Sequence, residues 1–322
     1  MSSEFEDDMH DLEYTEDKIS DEMHFHADGE DEGKRLDIFL AEKLPDYSRT
    51  FLQKQMKDGR VTVEGKKGKS GQKLKYGDKI SIIFMPVQDI EVLPQNIPID
   101  IIYEDDDVII INKPKQMVVH PAPGHPDGTL VNALLYHCRD SLSGINGMLR
   151  PGIVHRIDMD TTGVIAACKN DAAHKSLALQ LKEHSITRTY HAIVHGSLPQ
   201  KTGTVEGMIG RNRFDRKKMA VTTTGGKPAV THYNVLDELN HNYNYIACKL
   251  ETGRTHQIRV HMASIGHPVL GDAVYGPKKC PFSLTGQTLH AKTLGFIHPR
   301  TGKYMEFDAP LPDYFLKLLE KI

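Results

Sequence analysis

Two stretches of regular hydrophobic spacing organise the chain, and the first covers residues 33–85. Apolar residues recur at helical intervals from 36 to 44, and Ser48 can cap a second helix that follows. Alternation at 61–64 and 80–82 then predicts short strands. The pattern predicts a small domain of two helices followed by strands.

The second stretch covers residues 99–322 and carries more strands than helices. Short apolar or alternating runs predict strands at 99–102, 108–111, 164–167, 187–194 and 245–250. Helical spacing predicts helices at 129–135 and 171–183. Three prolines fall between the two stretches, so we expect residues 86–98 to form an extended linker between two domains.

Charge is distributed unevenly along the chain. Residues 1–32 hold 14 of the 43 Asp and Glu and only Lys18 of the 40 Lys and Arg. They also lack apolar periodicity, so we expect a disordered acidic tail. The remaining chain has 39 basic and 29 acidic residues, a balance that is compatible with binding a polyanion.

Length and composition exclude several classes of protein. The 322 residues suffice for two domains, and no apolar run approaches the roughly 18 residues of a membrane span. The acidic N-terminus has no segment typical of a secretory signal, so we expect a cytoplasmic protein without a membrane partner. The four cysteines are widely spaced, without a Cys-x-x-Cys pair, which favours reduced structural thiols over a metal site.

The densest group of reactive side chains lies at residues 152–163, directly before a predicted strand. It contains His155, Arg156, Asp158 and Asp160. Loops held by a rigid strand often position side chains for chemistry. An aspartate in a turn can equally bond the backbone or pair with a nearby arginine. The residue pattern alone leaves both interpretations open.

This segment resembles the catalytic motif of the RluA-type pseudouridine synthases, His-Arg-Leu-Asp-x-Asp-Thr-Ser-Gly. Ile157 stands in place of Leu and Thr162 in place of Ser, and every ionisable position agrees. The resemblance implies that Asp158 is the catalytic residue. It also implies that His155 and Arg156 position the nucleotide, while the second aspartate and the threonine after it brace the loop.

Two further segments are similar to the same family. Residues 187–194 resemble its basic-x-Tyr segment, which gives Tyr190 the role of the aromatic residue against the base. Residues 251–261 match a second long motif, which implies that Arg254 pairs with the catalytic aspartate and that Ile258 forms part of the pocket wall.

Local signals add two expectations in this part of the chain. Thr255 can cap a helix that runs to Gly266. Asn112 and Lys113 belong to another segment that recurs in the family, and we expect them to shape the cleft and bind substrate.

The first domain is similar to the S-four (S4) RNA-binding domain in the order of its short motifs over about fifty residues. This resemblance, together with the predicted exposed helical surface, implies RNA contacts from four basic side chains: Arg35, Arg49, Lys54 and Arg60.

Together the resemblances imply an α+β protein: a small S-four-type domain, followed by a pseudouridine synthase domain with a mixed, mainly antiparallel sheet and a central cleft. The implied reaction isomerises specific uridines, in large-subunit ribosomal RNA, to pseudouridine without cofactor or metal. We expect a monomer whose partner is ribosomal RNA or a ribosomal subunit precursor.

Two other functions compete with this interpretation. One is a non-catalytic RNA-binding factor for ribosome assembly that has kept the scaffold. The other is a glycosylase or glycoside hydrolase, which shares the aspartate but ordinarily needs a second carboxylate to activate water. Asp160 is the nearest candidate in the sequence for that second carboxylate.

Overall fold

The computed structural model describes residues 22–45, 47–84, 92–122, 124–139, 141–147, 149–215, 218–240, 242–280 and 282–322. The chain divides into two compact units, Met1–Asp89 and Ile90–Ile322. Within the described residues, no helix is both long and apolar enough to cross a membrane.

The N-terminal unit packs two helices on a four-stranded sheet. Its helices are α1 (Leu36–Lys43) and α2 (Arg49–Lys57), and its strands are β1 (Met23–His26), β2 (Val61–Val63), β3 (Lys66–Lys67) and β4 (Lys79–Ile82). The sheet order is β1-β4-β2-β3, with antiparallel neighbours. Leu36, Phe39 and Leu40 are fully buried on one face of α1, as their helical spacing predicts. The Ser48 hydroxyl accepts the Phe51 N–H at 3.2 Å, which confirms the predicted cap of α2.

The predicted disordered tail is wrong in its last third. β1 pairs with β4 in the sheet, and a single 3-10 turn follows at Gly29–Asp31, where Asp28 caps the turn. Phe25 packs edge-on against Phe39 of α1. The sequence did not predict this short strand, because it contains only two alternating apolar residues and lies among many acidic ones. Residues 1–21 lie outside the described part of the chain.

The C-terminal unit is built on a large mixed sheet. Its strands are β5 (Asp100–Glu104), β6 (Val108–Lys113), β7 (Thr162–Cys168), β8 (Thr187–His195), β9 (Thr202–Arg211), β10 (Met219–Thr222), β11 (Lys227–Leu239), β12 (Tyr243–Leu250), β13 (Leu289–Ile297) and β14 (Tyr304–Asp308). Its helices are α3 (Leu130–Cys138), α4 (Asp171–Lys182), α5 (Gln257–Ser264) and α6 (Asp313–Lys321). The order is β10-β9-β11-β12-β8-β13-β7-β6-β5, and β14 also pairs with β13.

One strand pair departs from the antiparallel pattern of the described sheet. β7 and β13 run parallel, and every other neighbouring pair in it runs antiparallel. Gly163, at the start of β7, has φ 107°, and a Cβ atom there would lie 2.1 Å from the Ala291 carbonyl oxygen of β13. Only glycine fits this close approach of two backbones. The glycine that ends the central motif therefore fixes where the motif enters the sheet.

The expected linker at 86–98 is shorter than the prolines suggested. From Val92 onward the chain packs on the C-terminal unit, since Val92 is buried in its core. Gln95 donates its backbone N–H to Asn132 and accepts the Gly128 N–H at its side-chain oxygen. Residues 85–91 lie outside the described part of the chain. Residues 92–98 thus contact the C-terminal unit through Val92 and Gln95, although most of this segment is exposed.

Candidate active site

Asp158 lies in the turn that leads into β7, next to a buried cation. Its Oδ2 accepts a hydrogen bond from Arg259 Nη1 at 2.8 Å, and its side chain is 23% exposed. A backbone bond from the Thr161 N–H to the Asp158 carbonyl closes the turn. The acidic group at the centre of the motif therefore faces both an arginine and solvent.

Arg259 is held from its other side by a second carboxylate. Its Nε and Nη2 donate to the two oxygens of Asp272 at 2.6 and 3.0 Å, and the Asp272 side chain is completely buried. Burial alone would raise the pKa of Asp272, but Arg259 and the backbone N–H groups of Val274 and Tyr275 lower it overall. Burial would lower the pKa of Arg259, and the two carboxylates raise it. The two hydrogen bonds to Asp272 therefore fix the guanidinium of Arg259, and its Nη1 is left to bind Asp158.

The expectation that Arg254 pairs with Asp158 is therefore wrong, because the partner is Arg259, five residues later. Arg254 donates its Nε to the Pro228 carbonyl oxygen and its backbone N–H to the Gln257 side chain. The segment around Arg254 is an irregular turn, whereas Arg259 lies in α5 and is directed inward. The residue type was right, but sequence spacing could not show which arginine of the motif faces the loop.

The start of α5 also differs from the expected cap. His256, rather than Thr255, precedes the helix, and its backbone is left-handed at φ 56°. The Thr255 hydroxyl instead accepts a hydrogen bond from Arg156 Nη2 at 3.1 Å. This beginning turns Ile258 and Arg259 into the unit, where both are buried.

Tyr190 and Ile258 lie on the apolar side of the site. Tyr190 belongs to β8, opposite Cys248 of β12 and Ala291 of β13, and packs in the same core cluster as Ile258. Burial raises the pKa of Tyr190; the positive charge of Arg188 opposes this effect and the negative charge of Asp158 adds to it. The structure thus brings Tyr190 within electrostatic reach of Asp158.

Two more side chains complete the surroundings of Asp158. His256 Nε2 is 3.8 Å from Asp158 Oδ1, and His256 Nδ1 is 2.8 Å from the hydroxyl of Tyr275. Arg259 also lies over the Tyr275 ring, 5.1 Å from its centroid. The Tyr275 hydroxyl and the guanidinium therefore belong to one connected polar network.

The two basic residues of the central motif have different places. Arg156 is exposed beside the site and contacts Thr255, so its remaining donors face solvent. His155 accepts the Ala166 N–H of β7 at Nε2, 3.0 Å away, and burial lowers its pKa to about 3. A neutral ring bonded to the strand backbone anchors the loop. The expectation that His155 binds the nucleotide is not supported by this orientation.

Lys113 and Asn112 likewise do not reach the site as substrate ligands. Lys113 is fully buried, and its ammonium group donates to the carbonyl oxygens of Pro114, Met117 and Met159. Burial lowers the pKa of Lys113 to about 7, against the opposing charges of the two motif aspartates. The bond to Met159 supports the backbone beside Asp158. Asn112 is bonded to Asp100 on the edge strand β5.

The second carboxylate of the motif is packed away from Asp158. Asp160 lies against Gly286, where any Cβ atom would be 2.3 Å from its Oδ2. Burial raises the pKa of Asp160, and Lys115 and Lys113 oppose the shift. Thr161 accepts a hydrogen bond from Gln287. Both residues thus contact the 286–287 segment, in keeping with the expected bracing role.

One group of side chains in the described residues has ligand atoms close enough for a metal. It consists of Asp105, Asp107 and His298, near the turn between β5 and β6. Arg300 donates two hydrogen bonds to the carboxylate of Asp107, and His298 Nε2 lies 2.8 Å from an oxygen of Asp105. These oxygens are thus occupied by protein partners.

In the N-terminal unit, two of the four predicted RNA contacts form one cluster. Arg35 and Arg49 each place Nε and Nη2 on Asp37, at 2.8 to 3.2 Å, and Gln53 adds a fifth hydrogen bond. Asp37 is completely buried, whereas each arginine side chain is about half exposed. These partners lower the pKa of Asp37 although its burial opposes them. We call these four residues the Asp37 cluster.

The other two predicted contacts lie outside the Asp37 cluster. Lys54 is exposed on α2, and Arg60 donates to Gln55 at 3.0 Å. They are separate surface charges of the same unit.

Sequence reasoning missed the roles of Arg259, Asp272, His256 and Tyr275. Arg259 and His256 fall within the quoted 251–261 motif, and Asp272 and Tyr275 fall in a Gly-Asp-x-x-Tyr-Gly segment that follows it. A dense group of polar residues at the start of the predicted helix was the available signal. It could not assign the partners, because these depend on contacts that span 13 to 101 residues of sequence.

Two family models match the chain. Residues 107–264 match the RNA pseudouridylate synthase family, and residues 34–80 match the S4 domain. The first match contains Asp158, Tyr190 and Arg259, and the second contains the Asp37 cluster.

Curated relatives match over most of their length. A Bacillus subtilis protein with the name uncharacterized RNA pseudouridine synthase YlyB is 50% identical over 92% of this chain and 96% of its own. Ribosomal large subunit pseudouridine synthase D of Vibrio vulnificus is 43% identical over 90% of this chain and 91% of its own.

A solved structure supports the same assignment. Human RNA pseudouridylate synthase domain containing 1 aligns with a TM-score of 0.56 at 26% identity, over 73% of this chain and 89% of that protein. The agreement thus covers motifs, sequence and fold. This chain belongs to the RNA pseudouridine synthase family.

Proposed function

We propose that this protein isomerises uridine to pseudouridine in large-subunit ribosomal RNA and that Asp158 is its catalytic residue. Relatives named ribosomal large subunit pseudouridine synthase D, at 43% to 54% identity, support the choice of RNA. The protein acts as a monomer in the cytoplasm, on free RNA or on a subunit precursor.

The observation that carries this proposal is the ion pair of Asp158 with a cation that is itself fixed. Arg259 donates a hydrogen bond to Oδ2 of Asp158. Its two hydrogen bonds to Asp272 fix the position of the guanidinium. A charge-assisted hydrogen bond from a fixed guanidinium holds the carboxylate of Asp158 in one orientation. Oδ1 of Asp158 is then available to the ribose of a bound nucleotide.

The reaction requires that the uridine leave the base stack. A stacked and paired base cannot turn about or enter a pocket, so the nucleotide is flipped into the site, with its base against Tyr190 and Ile258. The N1–C1′ bond breaks, the uracil turns, and a C5–C1′ bond forms. C5 then loses a proton and N1 gains one, so the product is an isomer. Asp158 either attacks the ribose or removes the 2′ proton, and both routes use Oδ1.

RNA binding by the N-terminal unit is the second part of the proposal. The Asp37 cluster presents two guanidinium groups whose outer donors point away from their shared carboxylate. Planar arginine forks suit phosphate oxygens, and arginines that are already ordered lose less entropy on binding. We propose that Arg35 and Arg49 bind the RNA backbone together, with Lys54 and Arg60 as separate contacts.

The first experiment compares wild type with Asp158→Asn on a uridine-labelled ribosomal RNA transcript and on ribosomal subunit precursors. Nuclease digestion and chromatography quantify pseudouridine. We expect product from wild type and a loss of at least about a thousandfold in the variant, since asparagine keeps the shape but not the charge. RNA affinity should be unchanged.

The same assay separates the competing functions. Tight binding by wild type without product on either RNA substrate would support a non-catalytic assembly factor. Release of free uracil would identify a glycosylase. Equal product from wild type and Asp158→Asn would reject Asp158 as the catalytic residue.

A further inference from the structure

His256 has a backbone conformation that needs an explanation. It precedes α5 with φ 56° and ψ 21°, in the left-handed region. For a residue other than glycine this conformation costs on the order of 1 kcal/mol or more, and such residues persist where their surroundings determine them. The His256 carbonyl accepts the Val260 N–H and so starts the first turn of the helix. The result is a ring placed between Tyr275 and Asp158.

The hydrogen bond between Tyr275 and His256 Nδ1 can set which ring nitrogen of His256 carries the proton, if the hydroxyl is its donor. The Tyr275 oxygen accepts the backbone N–H of Met219 at 2.9 Å, so its own proton is available for His256 Nδ1, 2.8 Å away. An Nδ1 that accepts a hydrogen bond leaves the proton of a neutral imidazole on Nε2. His256 therefore presents an N–H donor on the side of Asp158.

Burial is the largest influence on the pKa of His256, and charges of both signs surround the ring. Burial lowers the pKa of His256, and the two nearby carboxylates and two nearby arginines act in opposite directions: Asp158 and Asp272 raise it, and Arg259 and Arg156 lower it. The ring is thus neutral near pH 7. Its Nε2 lies 3.8 Å from Asp158 Oδ1, whereas Arg259 binds Oδ2.

We propose that His256 is a positioning residue for Asp158, which donates its Nε2–H to Oδ1 while Arg259 holds Oδ2. This inference rests on the proposed function. Catalytic hydrogen bonds are often long in a free enzyme and shorten when substrate binds. A carboxylate held at both oxygens cannot rotate, so its remaining lone pair on Oδ1 keeps one direction toward the ribose. Tyr275 acts through His256 by fixing the tautomer.

Two amide variants distinguish this role from a purely structural one. In His256→Asn the amide reaches the position of Nδ1 and can contact Tyr275, but it cannot reach Asp158. Asparagine also tolerates the left-handed backbone well. In His256→Gln the longer side chain can place an N–H near the position of Nε2, although glutamine suits this backbone less.

Single-turnover rates and KM on the transcript that wild type modifies measure the effect. We expect His256→Asn to lower the single-turnover rate by about tenfold to a hundredfold, the range for one hydrogen bond to a charged group, with KM nearly unchanged. His256→Gln should recover most of this rate. If the backbone alone mattered, the order would be reversed, so a rate for His256→Asn equal to or above that of His256→Gln overturns the proposal.

A second variant tests the connection through Tyr275. Tyr275→Phe removes the tautomer control and should lower the rate less than His256→Asn does. The double variant should be no slower than His256→Asn alone, because both changes affect one hydrogen bond. Additive losses of rate would contradict the proposal that Tyr275 acts on Asp158 through His256. Wild-type product formation is measured in each series, so failure of the proposed function is seen separately.

Discussion

In the N-terminal unit one buried carboxylate holds two arginines, whereas in the C-terminal unit one buried arginine holds two carboxylates. Asp37 is completely buried beneath Arg35 and Arg49, which are each half exposed. Arg259 is 6% exposed between Asp272, which is completely buried, and Asp158, which is 23% exposed. The same two residue types thus build clusters with opposite excess charge.

In the proposed function, the more exposed member of each cluster determines its chemistry. In the Asp37 cluster the exposed members are cations, so the cluster suits an anionic RNA backbone. Around Arg259 the exposed member is a carboxylate, which suits reaction with a ribose. In both, the completely buried group is fixed by several hydrogen bonds and acts as an anchor. Breaking an anchored buried pair leaves an uncompensated charge and costs about 3–5 kcal/mol.

Among changes that test the comparison of the two clusters, the largest effect is expected when Arg259 loses its two hydrogen bonds to Asp272. Arg259→Lys keeps the charge, but an ammonium group cannot bind both oxygens of Asp272 and also Asp158. We expect the single-turnover rate of pseudouridine formation to fall by at least about a hundredfold. We also expect the free energy of unfolding, from denaturant titration, to fall by about 3 kcal/mol.

The matched control is Arg254→Lys, five residues earlier in the same motif. Its side chain bonds one backbone carbonyl, so we expect the rate and the stability to change by no more than about twofold and 0.5 kcal/mol. Equal losses in the two variants would mean that the Asp158–Arg259 pair is not the functional one.

An intermediate effect is expected from acid, and it should separate the two units. Burial lowers the pKa of His120, His261 and His290 in the C-terminal unit to about 4, whereas His24 and His26 of the N-terminal unit are exposed. Below pH 6.5 the unfolded chain therefore binds protons that the folded C-terminal unit does not. Its stability is complete above pH 6.5 and falls as the pH decreases toward 4, by about 1–2 kcal/mol per histidine at pH 5.

Thiol labelling can follow this transition, because all four cysteines lie in the C-terminal unit and three are buried. With a disulfide reagent that reacts in acid, the midpoint temperature of labelling should be lower at pH 5 than at pH 7. Amide exchange in β4, corrected for its intrinsic rate, should change less. His290→Gln should reduce the pH dependence and the exposed His125→Gln should not. A parallel response of both units would contradict the separation.

The smallest effect is expected from the Asp37 cluster. The double change Arg35→Lys with Arg49→Lys keeps every charge but removes the planar forks. We expect RNA affinity to fall by about tenfold, with the slope of log affinity against log salt nearly unchanged. Arg60→Lys, also charge-neutral but outside the cluster, should change affinity less than twofold. If both changes weaken binding equally, the hydrogen bonds that fix Arg35 and Arg49 on Asp37 have no special role in RNA binding.

Much of this protein could be predicted from the sequence because its signals are local. The cap at Ser48, the helices of the N-terminal unit and five of the ten described strands of the C-terminal unit agree with the hydrophobic spacing. The central motif also identified the family without tertiary information, and the catalytic role that it implies for Asp158 stays a prediction. The strand at 23–26 was missed because pairing with β4, rather than its own composition, stabilises it.

The sequence by itself determined the two units, their order, the family and the segments from which the site is built. Only the tertiary structure decided which arginine serves Asp158, that His155 and Lys113 support the loop, and that Arg35 and Arg49 share one carboxylate. The physical reason is distance along the chain. Hydrophobic period and caps act within a few residues, whereas Arg259 meets Asp158 across 101 positions through the direction in which α5 enters the core.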